Sequence, residues 1–303
     1  MSMSKLCSLS EAIDHYVQDG DCVYAAGFTH LIPFAAGHEI IRQHRKDLVL
    51  ARATPDLIFD QMVSAGCARK IIFSYLGNPG VGSLRILRNE LEAGHLEWEE
   101  YSHFSMISRL QAGAAGLPFI PMNPTAAGDL ERANPNFRRV IDPFGSGQEV
   151  VVVPALHPDV AIVHVQRADA SGNAHIWGIL GEQKEAAFAA RRLILTAEEI
   201  VGEEVIRADP NRTIIPGFIV SAVCCVPYAS HPSYTQGYYD RDNDFYLAWD
   251  KISETPQSVQ AYLDEWVYGV KDRAEYWEKL GPQVHQRLQI PERWSGQVNY
   301  GGY

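Results

Sequence analysis

Residues 99–119 read EEYSHFSMISRLQAGAAGLPF, and this segment predicts a strand that turns directly into a helix. Polar and apolar residues alternate up to Glu99, as they do in a half-buried strand, and a helix rich in Ala and Gly is expected from about Phe104. Gly116 supplies a helix stop, and Pro118 prevents continuation. Two carboxylates, a serine and a histidine therefore lie at the carboxyl end of a strand, where open α/β sheets bind ligands.

The residues before this segment repeat the same alternation of short apolar strands and longer helices. Ser8-Leu9-Ser10-Glu11 has the spacing of a capping box and predicts the first helix. The further helices are expected at residues 33–45, 55–65 and 83–93, and the strands at 22–26, 48–51 and 69–75. This pattern predicts an α/β fold with an open, mostly parallel sheet and helices on both faces.

The second half of the chain is less regular. Residues 121–148 show no clear period and are predicted to form a long excursion, as a cap or an interface loop. The apolar runs 149–153 and 160–165 are typical of strands buried on both faces of a parallel sheet. The remaining elements are expected to be a helix at 181–191, strands at 193–195 and 219–226, and two aromatic-rich helices within 256–280.

We expect a single domain over residues 1–303 with an elaborated helical C-terminus. No stretch has the composition of a linker between domains. The tail 281–303 includes Trp294, Tyr300 and Tyr303 among glycines, and this apolar character predicts that it packs on the domain or on a partner.

Composition excludes several classes of protein. The formal net charge of −11 argues against nucleic acid or an anionic membrane surface as the main partner. No apolar run approaches the roughly 18–20 residues of a membrane span, and the N-terminal residues lack the apolar core of a signal peptide. Five cysteines without a C-x-x-C pair fit a reducing compartment. We therefore expect a cytoplasmic protein.

Generic enzyme motifs give no assignment. The segment from Gly77 to Gly82 is rich in glycine but lacks the lysine of a phosphate loop, and there is no G-x-S-x-G elbow. His38 and His44 are six residues apart, so on a helix they point to different faces and do not form a zinc motif. No metal site is predicted.

Glu99 and Glu100 are the candidate site carboxylates, and two interpretations stay open. Strand alternation points their side chains to opposite faces, so at most one of them faces a pocket. In the first interpretation both are solvated at the strand end or pair with Arg109. In the second, one of them acts with Ser102 or His103 as a ligand contact or as an acid or base.

The segment Gly27-Phe28-Thr29 also has two interpretations. It follows a predicted strand and is either a tight turn or a loop whose backbone N–H groups approach an oxyanion, which glycine at a strand end permits. From the residues alone, we expect a polar pocket beside 27–29 and 99–103, with no reaction identified.

Several stretches together resemble the first, or alpha, subunit of family I CoA-transferases, in the branch of the glutaconate CoA-transferase alpha subunit. They occur in the order of that family, from about residue 8 to residue 280. The stretches are TPDL (54–57), SAG (64–66), 99–119, PDVAIVHVQRAD (158–169), GN (172–173), TAEEIV (196–201) and ASHPS (229–233).

The resemblance implies CoA transfer between an acyl-CoA and a free carboxylic acid. It also implies a homologous beta subunit, two copies of each subunit, and no tightly bound cofactor beyond the coenzyme A of the substrate. The family's nucleophilic glutamate lies in the second subunit within Glu-Asn-Gly or Glu-Ser-Gly, and this chain has neither tripeptide. The positions that match the family's substrate pocket are Gly27, Phe28, Thr29, Ser74, Tyr75, Ser102 and His103.

Two alternatives follow from the same resemblance. The family includes a carbon–carbon bond hydrolase that opens cyclic diketo acyl-CoA thioesters derived from steroids, with a catalytic glutamate in its alpha subunit. Glu100 is the catalytic candidate under that alternative. In the other alternative, the chain is a non-catalytic scaffold that only shapes the site of its partner, so that Ser102 and His103 do not touch substrate.

Overall fold

Helices and strands alternate along most of the chain, in a computed structural model that describes residues 4–77, 82–123 and 127–290. The helices are α1 Leu9–Tyr16, α2 Phe34–Arg42, α3 Leu57–Ser64, α4 Arg85–Glu92, α5 His103–Ala114, α6 Leu130–Ala133, α7 Gln183–Ala189, α8 Glu203–Ala208, α9 Asn243–Ile252, α10 Pro256–Leu263, α11 Arg273–Leu280 and α12 Pro282–Arg287. The strands are β1 Cys22–Ala25, β2 Leu48–Ala51, β3 Ala68–Phe73, β4 Glu97–Glu100, β5 Phe119–Met122, β6 Arg138–Ile141, β7 Glu149–Pro154, β8 Val160–Ala168, β9 Ala174–His175, β10 Arg192–Ile200, β11 Thr213–Ile215 and β12 Ala222–Cys225.

The main sheet is built around parallel strands in the order β4-β3-β2-β1-β8-β10-β12, with β9 and β11 added antiparallel beside β8. From β1 the chain first builds the sheet outward through β2, β3 and β4, and later builds the other half from β8. The order therefore reverses between β1 and β8, and open α/β sheets bind ligands at the carboxyl side of such a reversal. The predicted fold class is confirmed.

Two hydrophobic clusters cover the two faces of this sheet. One cluster contains apolar residues of the first four helices, α1, α2, α3 and α4, packed with apolar residues of the C-terminal helices, including Trp249 and Val267. The other joins α5 and α7 with the strands β5 and β7, including Leu110 and Val151. The sheet is thus the middle layer of three, which explains why its central strands read as continuous apolar runs.

The expectation of a long loop at 121–148 is wrong. Strands β5 and β6 pair antiparallel on either side of β7 and form a separate three-stranded sheet. The run 149–153, expected in the main sheet, lies in the central strand of this small sheet. The sequence hid it because β6 is exposed at every position and so shows no alternation. Pro121 lies in β5, at an edge of the sheet where proline is tolerated.

The helical C-terminus contains more elements than predicted. In addition to α10 and α11 there are α9 and α12, and α12 is attached by Arg287, which ion-pairs with Asp242 at 2.7 Å. His285 of α12 stacks on Trp277, with ring centroids 4.4 Å apart. The aromatic tail residues 291–303 lie outside the described part of the chain, so their packing stays a prediction.

Candidate functional site

The loops that follow β1, β2 and β4 meet at the carboxyl edge of the main sheet. His103 Nε2 lies 2.9 Å from Thr54 Oγ1, which joins the start of α5 to the segment after β2. The Phe28 ring meets the His103 ring edge to face, with centroids 6.3 Å apart. The structure therefore brings the glycine loop and His103 together, as the sequence predicted, and adds Thr54 between them.

The glycine loop, residues 27–31, is held in an unusual backbone conformation. Gly27 has φ of 130°, and a Cβ there would lie 2.6 Å from the Leu31 carbonyl oxygen, so only glycine fits. Thr29 and Leu31 have φ of 60° and 55°, in the left-handed region that non-glycine residues rarely adopt. Such strain is concentrated at functional sites, where the surrounding structure must enforce it.

The segment 233–234 supplies part of that enforcement. The Leu31 N–H donates to the Tyr234 carbonyl at 3.0 Å, and Ser233 Oγ donates to the Thr29 carbonyl at 2.9 Å. Thr29 Oγ1 also lies 3.3 Å from the Tyr234 hydroxyl. The glycine loop is therefore held by hydrogen bonds from the segment after β12 as well as by its connection to β1.

His30 is buried at the centre of this loop as a neutral ring. Its Nε2 lies 2.6 Å from the Ile179 carbonyl, which only accepts, so Nε2 carries the proton. Burial lowers the pKa of His30 to about 4. The ring stacks on Tyr234 with centroids 5.1 Å apart, so His30 packs the loop against two other segments.

A buried arginine lies behind the loop. Arg52, which is 1% exposed, donates to the carbonyl oxygens of Ala25 at 2.8 Å, Gly27 at 2.5 Å and Thr54 at 2.7 Å. These carbonyls belong to the end of β1, to the glycine loop itself and to the segment after β2. One guanidinium thus connects the backbone of both segments that surround His103.

Ser102 and His103 lie at the start of α5, and this position accounts for the hydrogen bond that Ser102 forms within the chain. Ser102 Oγ accepts from the Ser105 N–H at 3.1 Å and is the N-cap of the helix. Partial burial lowers the pKa of His103, which favours the neutral ring. A substrate contact from either side chain stays a prediction.

The two glutamates of β4 have different surroundings. Glu99 accepts from Lys70 Nζ at 2.6 Å and from the Tyr101 hydroxyl at 2.8 Å, and it lies 3.4 Å from Arg109 Nη1. Burial alone would raise the pKa of Glu99, but the hydrogen bonds from Lys70 and Tyr101 and the Arg109 charge hold it below its usual value. For Glu99, the predicted pairing with Arg109 is confirmed.

Glu100 points to the opposite face of the strand from Glu99, as alternation requires. Its backbone carbonyl accepts from Asn134 Nδ2 at 2.8 Å. Within residues 4–77, 82–123 and 127–290 its carboxylate forms no ion pair or hydrogen bond. The side chain is therefore available to a ligand or a partner.

The segment after β3 adds the last two predicted positions. Ser74 Oγ donates to the Ala53 carbonyl at 2.5 Å, so its hydroxyl ties β3 to the segment after β2. Tyr75 is 50% exposed and Phe104 is 59% exposed, and Leu180 is likewise half exposed. The Tyr75 side chain is therefore accessible at the carboxyl end of β3, where the substrate pocket is predicted.

Sequence reasoning missed the residues that hold this site from behind. Arg52 and His30 are buried, and no sequence motif indicates a role for either of them. Thr54 belongs to the TPDL stretch, but the sequence alone gives it no role. The signal available is the position of each residue directly after a predicted strand, where side chains and backbone meet the ligand edge.

The fold and the site together are those of an open α/β protein that binds a ligand at the carboxyl edge of its sheet, with a strained glycine loop facing a histidine at a helix start. The family model of coenzyme A transferase matches residues 7–225, and the chain belongs to that family. Within the family it is of the alpha-subunit type. The chain is 50% identical over 281 residues to the alpha subunit of 3-oxoadipate CoA-transferase of Pseudomonas knackmussii, covering 92% of this chain and 99% of that protein.

A solved structure and a distant relative complete the comparison. The crystal structure of glutaconate CoA-transferase from Acidaminococcus fermentans superimposes with a TM-score of 0.88 at 36% identity, covering 95% of this chain and 96% of that one. The cholesterol ring-cleaving hydrolase IpdA subunit of Rhodococcus jostii is 25% identical over 256 residues, 79% of this chain and 84% of that protein. The hydrolase alternative therefore has only distant support. The described residues contain no helix with the length and apolar character of a membrane span.

Proposed function

We propose that this chain and a homologous beta subunit transfer CoA between an acyl-CoA and a free dicarboxylic acid. The observation that carries the proposal is the 50% identity to a 3-oxoadipate CoA-transferase alpha subunit over nearly its whole length. The structural relative is named for glutaconate, and both named acids carry two carboxylates. The partner is expected in two copies, with two copies of this chain.

The chemistry assigned to each subunit is what membership of the coenzyme A transferase family implies. The partner's glutamate carboxylate attacks the thioester carbonyl, CoA thiolate leaves, and a mixed anhydride forms. The thiolate then attacks the glutamyl carbonyl, which releases the first acid and leaves a glutamyl-CoA thioester. The acceptor acid reverses these steps. This chain would bind the acid through Gly27–Thr29, Ser74, Tyr75, Ser102 and His103, at an edge where Glu99 is already engaged by cations.

The test is mass analysis of both subunits of the co-purified complex after treatment with acyl-CoA and then borohydride, which reduces an enzyme–CoA thioester. We expect the mass change on the beta subunit and CoA transfer to 3-oxoadipate or glutaconate. A change on this chain would move the nucleophile to Glu99 or Glu100. Hydrolysis without transfer, and without a mass change, would support the hydrolase instead.

The scaffold alternative is separated by His103→Gln, which keeps a neutral polar side chain at a position that is not the helix cap. If His103 contacts the acid, the transfer rate falls while the complex still assembles. An unchanged rate in an intact complex would support the scaffold. Gln18→Asn, at an exposed residue between α1 and the amino end of β1, serves as the control for handling and assembly.

A further inference from the structure

We propose that Arg52 is a positioning residue of the transfer site, which holds the glycine loop and Thr54 in one fixed arrangement around His103. The inference rests on the proposed function, because its readout is CoA transfer. Arg52 is 1% exposed, so its effect is exerted through the backbone groups that it binds.

The hydrogen bonds of Arg52 converge from different segments. Nη1 binds the Ala25 carbonyl, Nη2 the Gly27 carbonyl and Nε the Thr54 carbonyl, at 2.5 to 2.8 Å. A guanidinium presents its donors in a rigid planar fork, so the three acceptors are fixed relative to one another. Gly27 begins the strained loop, and Thr54 carries the hydroxyl that lies 2.9 Å from His103 Nε2.

The positive charge of Arg52 is buried, so its hydrogen bonds must replace the water that it loses on folding. A buried cation is costly unless it is well solvated by the protein, and no carboxylate of the described residues lies within ion-pair distance of Arg52. The backbone carbonyls therefore take the place of water. The Arg52 charge also acts on two buried acids, Asp56 and Glu182: burial raises the pKa of both, and the Arg52 charge opposes that rise.

A displacement at Arg52 would reach the site from two sides. Moving Thr54 shifts the partner of His103, and moving Gly27 shifts Phe28, whose ring meets the His103 ring. Misplacing a reacting group by about 1 Å can reduce a rate by roughly 100-fold. We therefore expect a loss in kcat that exceeds what lowered stability explains.

The test compares Arg52→Lys with Arg273→Lys in the complex with the beta subunit. Arg273 is also buried and also donates to backbone carbonyls, those of Tyr228 at 2.8 Å and His231 at 2.5 Å, but these carbonyls lie in the loop after β12. We expect kcat of Arg52→Lys to fall about 100-fold, because an ammonium cannot bind three carbonyls in a plane. Arg273→Lys should lower the melting temperature by a similar amount and keep a kcat near that of the wild type.

A second variant keeps the proposal testable if Arg52→Lys does not fold. Thr54→Val retains the carbonyl that Arg52 binds but removes the hydroxyl beside His103, and we expect kcat to fall about 10-fold with Thr54→Ser restoring it. Equal kcat losses for the two lysine variants, or an unchanged kcat for Thr54→Val, would overturn the proposal. Failure of the proposed function is a different result, namely a wild-type complex that transfers CoA to no acid.

Discussion

Two buried arginines of this chain use the same chemistry for different purposes. Arg52 donates to carbonyls at the ligand edge of the sheet, whereas Arg273 donates to the carbonyls of Tyr228 and His231, at 2.8 and 2.5 Å. The guanidinium of Arg273 also lies over the Tyr276 ring, 4.1 Å from its centroid. One arginine fixes site loops, and the other attaches the C-terminal helices to the loop after β12.

The difference lies in what each set of carbonyls is connected to. Two of the carbonyls that Arg52 binds are those of Gly27 and Thr54, in the segments that surround His103. The Arg273 carbonyls lead to His231, whose ring contacts Asp242 at 3.1 Å and Tyr276 at 3.0 Å within the buried C-terminal cluster. A buried arginine is therefore not in itself a mark of a site, and its neighbours decide its role.

The largest effect we predict is a loss of stability in acid, to which two buried histidines contribute: His30 of the glycine loop and His231 of the C-terminal cluster. Burial lowers the pKa of both His30 and His231 to about 4, from an ordinary 6.5. The unfolded chain binds these protons at higher pH than the folded chain, so the free energy of unfolding falls as pH decreases from about 6.5 to 4. Each histidine contributes about 3 kcal/mol.

Urea unfolding of the wild type, His30→Gln and His231→Gln at pH 7.5 and 4.5 checks this prediction. Each variant should lose less stability than the wild type between the two pH values, and by similar amounts. Asp242 favours the charged form of His231. The pKa of Asp242 is itself lowered by His231, although the burial of Asp242 acts in the opposite direction. A clearly smaller effect at His231 would mean that Asp242 offsets more of the burial effect there, and the two clusters would then differ in electrostatics as well.

The second prediction concerns Arg273→Met. Two buried carbonyls lose their donor, which should lower the free energy of unfolding by about 2 to 3 kcal/mol. We expect kcat of the folded complex, measured well below the melting temperature, to stay within about twofold of the wild type, because a change of less than 0.5 kcal/mol at the site is about twofold. A large loss of kcat would show that the Arg273 cluster also positions the site, through the 233–234 segment.

The third prediction is that Gly27→Ala acts on stability and transfer together. Its φ and the contact with the Leu31 carbonyl should cost about 2 kcal/mol, and the displaced loop should lower kcat roughly 100-fold. Gly20→Ala is the matched control, because Gly20 has φ of 86° but no atom within 4 Å of an added Cβ. If both variants keep full activity, the glycine loop is only a turn.

The parallel half of the fold is predictable because its signals are local. The strand predicted at 48–51 coincides with β2, Gly116 ends α5 with φ of 68°, and the capping box of Ser8 and Glu11 is present. The small sheet is not predictable, because β5 pairs with β7 across the intervening α6 and β6, as in the pairing of Met122 with Val151, and because β6 has no buried side to produce a period. The carboxyl ends of strands locate the site, but the roles of Arg52 and Arg273 depend on tertiary contacts that no spacing encodes.

The smallest predicted effect is the difference in stability between variants of the neighbouring glutamates of β4. It involves Arg109, a third buried arginine with different surroundings. Unlike Arg52 and Arg273, Arg109 has a carboxylate beside it, so Glu99→Gln should remove a charge from a partly buried pair and cost about 1 kcal/mol in urea unfolding. Glu100→Gln should change stability by less than about 0.5 kcal/mol, because its carboxylate has no partner among the described residues.

Their effects on catalysis distinguish the two enzymatic alternatives. In a transferase whose nucleophile lies in the beta subunit, both variants should keep transfer within about twofold of the wild type, since neither carboxylate forms the acyl bond. In a hydrolase that uses Glu100 as its catalytic group, Glu100→Gln alone should abolish turnover while Glu99→Gln only destabilises. Because the two residues are adjacent, the pair of variants controls for local disturbance of β4, and a selective loss at Glu100 would mean that this alpha subunit carries out chemistry itself.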